Sequence, residues 1–138
     1  MPGLGNYLET LLLRNLFKTT TALPSSIWVS LHSATVVDAA DGAEISTVGT
    51  NYNRIAVAPT SVNWASLAAP SSGSNSTTFN KLAITFATAA SSYSVQAFGL
   101  WDSSNTGNLM YLSTVPLKVI EVGDNALISS ADIRISFD

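Results

Sequence analysis

The chain has no cysteine, which excludes a disulfide framework and any thiolate-bound metal and leaves the redox compartment open. Histidine is reduced to His32, and charged residues make up only 11% of the 138 residues, against the roughly 25% usual in soluble domains. Six Lys and Arg stand singly among nine Asp and Glu, for a net charge of −3, so no basic patch for a phosphate backbone forms. No apolar run approaches the roughly 20 residues that cross a bilayer. The opening Met1 to Asn6 lacks the basic and then apolar regions of a secretory signal. These absences predict a protein assembled in the cytoplasm, with neither nucleic acid nor membrane as a partner.

Hydrophobic residues are 46% of the chain. A chain of this size folds as one domain that buries roughly two thirds of its unfolded surface, with no need of a metal or cross-link. With charge scarce, Ser, Thr, Asn and Gly must cover the exterior, and much of such a surface can meet other protein. We read residues 1–23 as a helix and arm and residues 24–138 as a β region, within a single domain 1–138.

Asn6 is an N-cap type, and Glu9 stands three residues on, where a capping-box acid belongs. Leu8, Leu11, Leu12 and Leu16 then recur at helical spacing, widened by Leu13 and Phe17. Lys18 suits the C-terminal end of the helix dipole, and Thr19, Thr20 and Thr21 stop the run.

After Pro24 the period drops to 2. Ile27, Val29 and Leu31 alternate with Trp28, Ser30 and His32; Asn53, Ile55 and Val57 with Tyr52, Arg54 and Ala56; Leu82, Ile84 and Phe86 with Ala83 and Thr85; Ile133, Ile135 and Phe137 with Asp132, Arg134 and Ser136. Val95–Trp101 and Leu109–Thr114 are apolar on both faces and read as central strands, joined by the turn-rich Asp102–Gly107. Val115–Val122 and Ala126–Ser129 flank a second turn at Gly123-Asp124-Asn125. The predicted fold is mainly β, a β-sandwich or jelly-roll-like domain with one short N-terminal helix. Its expected core includes Leu82, Phe98, Leu100, Leu109 and the first-named set of each alternating pair except Asn53. Ala34–Thr50 and Ala65–Ser76 read as long loops, a class that is often functional.

The residues for catalysis are missing. His32 falls on the outward face of its strand pattern, no Cys is present, and no G-x-S-x-G marks a serine nucleophile. Glu9, Glu44 and Glu121 lie in a helix start, a loop and a strand end, so no carboxylate pair is suggested. Asp38, Asp41 and Glu44 crowd one loop with oxygen ligands of the kind calcium takes, but their spacing reads as a solvated acidic loop. No phosphate cradle appears. We therefore expect no enzyme activity, cofactor or metal. The aromatic set Trp28, Trp64, Trp101, Tyr7, Tyr52, Tyr93 and Tyr111 could supply a sugar-stacking platform, although core packing is its commoner fate.

The order of segments carries a resemblance. The helix Asn6–Phe17, Ile27–Ala34, Asn51–Val57, Phe98–Asp102 and Gly107–Tyr111 together resemble small phage proteins often labelled tail fibre protein, over nearly the whole chain. In that family a hydrophobic-x-Val-x-Leu strand, a Gly-x-Tyr-x-Arg segment, a Phe-Gly-Ile-(Phe/Trp)-Asp strand end and a Gly-Asp turn follow a short helix. Gly49-Thr-Asn-Tyr52-Asn-Arg54, Phe98–Asp102 and Gly123-Asp124 stand at the corresponding places, whereas Asp38–Thr50 replaces a Gly-rich stretch.

The resemblance implies a structural protein of the phage particle, partnered by the major capsid protein or tail proteins of the same phage. A fibre draws its length from a repetitive shaft, and this chain has neither repeat nor heptads. A capsid decoration or cement protein on the head lattice is therefore expected first, and a tail or tail-fibre component, with possible carbohydrate (host receptor) binding, second. A small β domain can cover only one face of so apolar a helix, which predicts a homo-oligomer or lattice array. The expected contact residues are Leu8, Leu12, Leu13, Leu16 and Phe17, with Tyr52 and Arg54 from the second alternating segment. The competing reading has the helix cap its own sandwich and Arg54 pair internally with Asp102 or Asp132.

Overall fold

A computed structural model describes residues 3–18, 22–34, 43–65 and 76–137, without the side chains of residues 76, 136 and 137. It is mainly β with one N-terminal helix, as the periodicities predict. In chain order the elements are β1 (Gly3–Leu4), α1 (Asn6–Phe17), β2 (Trp28–His32), β3 (Ile55–Ala56), β4 (Ser76–Phe79), β5 (Ile84–Thr88), β6 (Tyr93–Trp101), β7 (Leu109–Ile120), β8 (Asn125–Ile128) and β9 (Arg134–Phe137).

An antiparallel sheet in the order β1-β7-β6-β2-β3 forms one layer, and the ladders β4-β9 and β5-β8 lie opposite it. The layers share one core: Val29, Leu31, Val95, Phe98, Leu100 and Tyr111 of the large sheet meet Ile84 and Phe86 of β5, Ala126 of β8, and Ile133. Tyr52 stacks on Phe86 with ring centroids 5.9 Å apart. Part of the opposite face of the large sheet is buried as well. Ala97, Trp101, Leu109 and Leu112 form a second apolar cluster with Trp28 on the face away from the main core.

Two irregularities in the β6-β7 register explain how one strand serves both clusters. The shift between Val95 and Ala97 puts Val95 and Phe98, three residues apart, into the same core. The shift beside Trp101 leaves Met110 without an opposite residue, and the Gly5 N–H donates to the Met110 carbonyl at 2.7 Å. Strict alternation predicts neither result, and Leu109, expected in the main core, belongs to the other cluster.

Several side chains depart from the sequence reading. The N-cap of α1 is Gly5, and no side chain caps the helix, so Asn6 is its first helical residue. Leu82 is 54% exposed because β5 starts only at Ile84, and the turn before it carries Leu82 outward. His32 is fully buried, since Trp101 stacks near it on the face expected to be open. Tyr52, assigned to the polar face, is buried. It precedes β3, and Asn51 with a φ of +63° turns the chain so that the ring points into the core. Phe137 lies outside the described side chains, as do Asp38 and Asp41 of the acidic loop.

A buried amide fastens the second layer. Asn80 donates from Nδ2 to the carbonyls of Leu82 and Ser129, and its Oδ1 accepts the Ile133 N–H. One side chain thus satisfies three backbone groups that would otherwise lie unpaired in the interior.

Candidate functional site

Among the described residues, two apolar surface features stand out. The first is the outer side of α1. β1 pairs Gly3 with Leu112 and Leu4 with Tyr111, which fixes where the helix begins. Leu11 faces inward and is buried, while Leu8 is half-buried. Leu12, Leu13, Leu16 and Phe17 remain exposed, with Leu16 at 76% and Phe17 at 73%. Of the helical contact residues expected from the sequence, four therefore form an open stripe, flanked by the exposed Arg14 and Lys18.

The second feature is a cleft of about 490 Å³ where the two layers part between β7 and β8. Val115, Pro116 and Leu117 form one wall, Leu127 and Ile128 the other, and the core residues Leu31 and Phe98 reach its floor. Both walls are strand edges. Beyond Leu112 the outer edge of β7 pairs with no described strand, and β8 pairs only with β5. The β6-β7 shift at Val95/Ala97 sets Val115, Pro116 and Leu117 against Gln96 alone, so the chain bows out at the cleft. Sequence reasoning missed this site. Pro116 inside a strand-like run was its available signal, because proline in a sheet marks an edge or a bulge.

Tyr52 and Arg54 sit elsewhere, in a polar chain beneath the surface. Arg54 makes a two-pronged pair with Glu44, Nε to Oε1 at 2.9 Å and Nη2 to Oε2 at 2.7 Å. Its Nη1 donates to the Ser103 and Thr106 carbonyls of the β6-β7 hairpin at 2.9 and 2.8 Å. The partner is thus Glu44, neither Asp102 nor Asp132, and the Arg54 side chain is only 6% exposed. The Tyr52 hydroxyl donates to Glu44 Oε1 and accepts the Leu31 N–H, closing the edge of β2 between β3 and the His32–Glu44 bridge. Asp102 binds Asn108 across the same hairpin, so it is occupied in holding the turn.

Electrostatics follow from that arrangement. Burial alone would raise the Glu44 pKa, but the Arg54 hydrogen bonds and charge, aided by Tyr52, outweigh it and hold the carboxyl below its ordinary range. Burial pushes the Tyr52 hydroxyl well above its ordinary range, and the Glu44 charge adds to the effect.

On the far side of Trp101, its Nε1 donates to Ser30 Oγ at 2.8 Å, and Ser30 Oγ lies 2.7 Å from His32 Nε2. Ser and His are adjacent here, yet both are fully buried. A substrate cannot reach this hydroxyl in the folded chain, and the arrangement serves to satisfy polar groups within the second cluster.

The three Trp and four Tyr form no open platform. Tyr52, Trp64, Trp101 and Tyr111 are buried, and Trp28, Tyr7 and Tyr93 are half-buried. No group of His, Asp or Glu among the described residues is placed to hold a metal ion. No described helix is long and apolar enough to cross a membrane.

The mainly β chain thus exposes an apolar helix face and an open seam that other protein can cover. The family model described as Podophage GP4 fiber I protein gp80 matches residues 3–136. The chain belongs to that family, and it is a structural protein of the phage particle. No curated protein matches it.

Proposed function

We propose that the protein is a non-enzymatic fibre component of the phage particle, joined to its neighbours through the exposed face of α1. The observation that carries this reading is the family match over residues 3–136, whose description is that of a fibre protein. The stripe Leu12, Leu13, Leu16 and Phe17 supplies a contact surface. Burial of apolar area stabilises by roughly 25 cal/mol per Å², and an interface core is depleted in charge, as this chain is. Self-association or docking on another virion protein would both use that stripe.

Capsid decoration is the second reading. The lack of any repeat or heptad within these 138 residues favours it, and the same helix face could staple neighbouring capsid subunits. Gold-labelled antibody against the protein on intact particles separates the two. Label confined to the fibres is expected, label spread over the head lattice would replace the fibre reading with capsid decoration, and unlabelled particles would overturn both.

A further inference from the structure

We propose that copies of this chain join head to tail, the exposed stripe of α1 on one copy seating in the β7/β8 cleft of the next. The proposal rests on the fibre reading and names the partner of the α1 face as a second copy of this chain.

The two surfaces complement each other in form and chemistry. The stripe is convex and apolar, with its most exposed residues, Leu16 and Phe17, at its C-terminal end. The cleft is concave and apolar, and its Leu117 and Leu127 are 63% and 53% exposed. An apolar cavity of roughly 150 Å³ takes up a benzene-sized group, so a cleft of about 490 Å³ has room for the ends of Leu13, Leu16 and Phe17 together. Each exposed aromatic or large aliphatic side chain carries on the order of 100–200 Å². The four stripe side chains, 39–76% exposed, therefore supply roughly half of the about 800 Å² per partner of a stable interface, and the exposed Arg14 and Lys18 beside them add to it.

Charge is compatible with this seating. Arg14 and Lys18 flank the stripe, and Asp132 stands on the cleft lip; Lys118 is the opposing charge there. The lip thus carries one charge of each sign and opposes the two cations with no net charge, and Lys118 can extend its ammonium to solvent.

A copy cannot fill its own cleft. The Gly5–Met110 hydrogen bond and the buried Leu11 hold α1 at the start of β7, whereas the cleft is walled by Val115–Leu117. Contact between two different surfaces is heterologous, so it repeats until it closes a ring or runs on as a filament. Residues that hold no repeat or heptad thereby gain length by stacking.

The test uses the full chain and four substitutions at exposed positions. One variant carries Leu16→Asp with Phe17→Asp, the other Leu117→Asp with Leu127→Asp; far-UV circular dichroism verifies that each is folded. Sedimentation velocity should show the parent growing into larger species with concentration. Each variant alone should associate about a hundredfold more weakly or worse, since a carboxylate would be buried without a partner. Mixed in equal amounts, they should form one-to-one dimers and nothing larger, because the mixture retains one intact helix and one intact cleft. If Asp at 117 unsettles β7, Leu117→Gln with Leu127→Gln gives the same readout.

A cleft variant that assembles like the parent would overturn the proposal in favour of helix-to-helix contact. A parent that stays monomeric at every concentration would overturn it in favour of docking on a different virion protein, with the fibre reading still judged by gold labelling.

Discussion

The Arg54 guanidinium lies over the Trp101 indole, with Cζ 3.9 Å from the ring centroid. This contact ties the segment before β3 to the end of β6 and shields the second apolar cluster from water. Cation–aromatic contact of this kind is worth about 0.5–2 kcal/mol, more when desolvated. Arg54 also holds Glu44 and two hairpin carbonyls, so its loss is felt in several places at once.

Arg54→Ala should therefore destabilise the monomer by about 3–5 kcal/mol, because it leaves the Glu44 carboxylate without its partner. Arg54→Lys keeps the charge but not the planar fork and should cost about 2 kcal/mol. Urea unfolding midpoints measure both. A lysine variant as stable as the parent would show that the two-pronged geometry contributes nothing.

Stability should also fall in acid through the same pair. The folded pKa of Glu44 lies below its ordinary 4.5, so the unfolded chain binds the proton more readily. The contribution is complete above about pH 4.5 and is lost as pH falls through the folded value. Tyr52 has the opposite sign: its folded pKa is raised above 10, so its share is complete below about pH 10 and declines as pH rises further. Thermal unfolding across pH tests both limbs. Glu44→Gln should flatten the acid limb, and Tyr52→Phe the alkaline one.

Gly5 has φ −73° and ψ 146°, a conformation open to any residue. A Cβ there would nevertheless overlap the Leu109 carbonyl oxygen. Gly5→Ala should push α1 off β7 at a cost of about 1–3 kcal/mol. Hydrogen exchange should show faster amides over residues 5–12, with the β6 amides unchanged. Unaltered protection of α1 would show that the close approach is not needed.

The elements were legible in the sequence where one physical requirement dominated. Ile27, Val29 and Leu31 alternate because β2 has a main-core face, and the turn residues at Asp102–Gly107 announce the β6-β7 hairpin. The sites were less legible. Four of the five helical residues named as a contact face lie exposed, but the cleft that complements them depends on β7 and β8, whose adjacency no local pattern encodes. Trp28, Ser30 and His32 look like a solvent face only until Trp101 and its neighbours are laid over them.

By itself the sequence determined the mainly β composition, the N-terminal helix and its surplus of apolar faces, because periodicity is a property of the chain. Tertiary structure decided which polar residues would be buried. Glu44, Tyr52 and Arg54 become one fastening only when a loop, a core edge and a hairpin come within hydrogen-bond reach. Register shifts decided which side chains enter each core, since a bulged residue displaces the side chains beyond it to the opposite face. Such pairings join residues distant along the chain, and the energy that selects them exists only once the chain has folded.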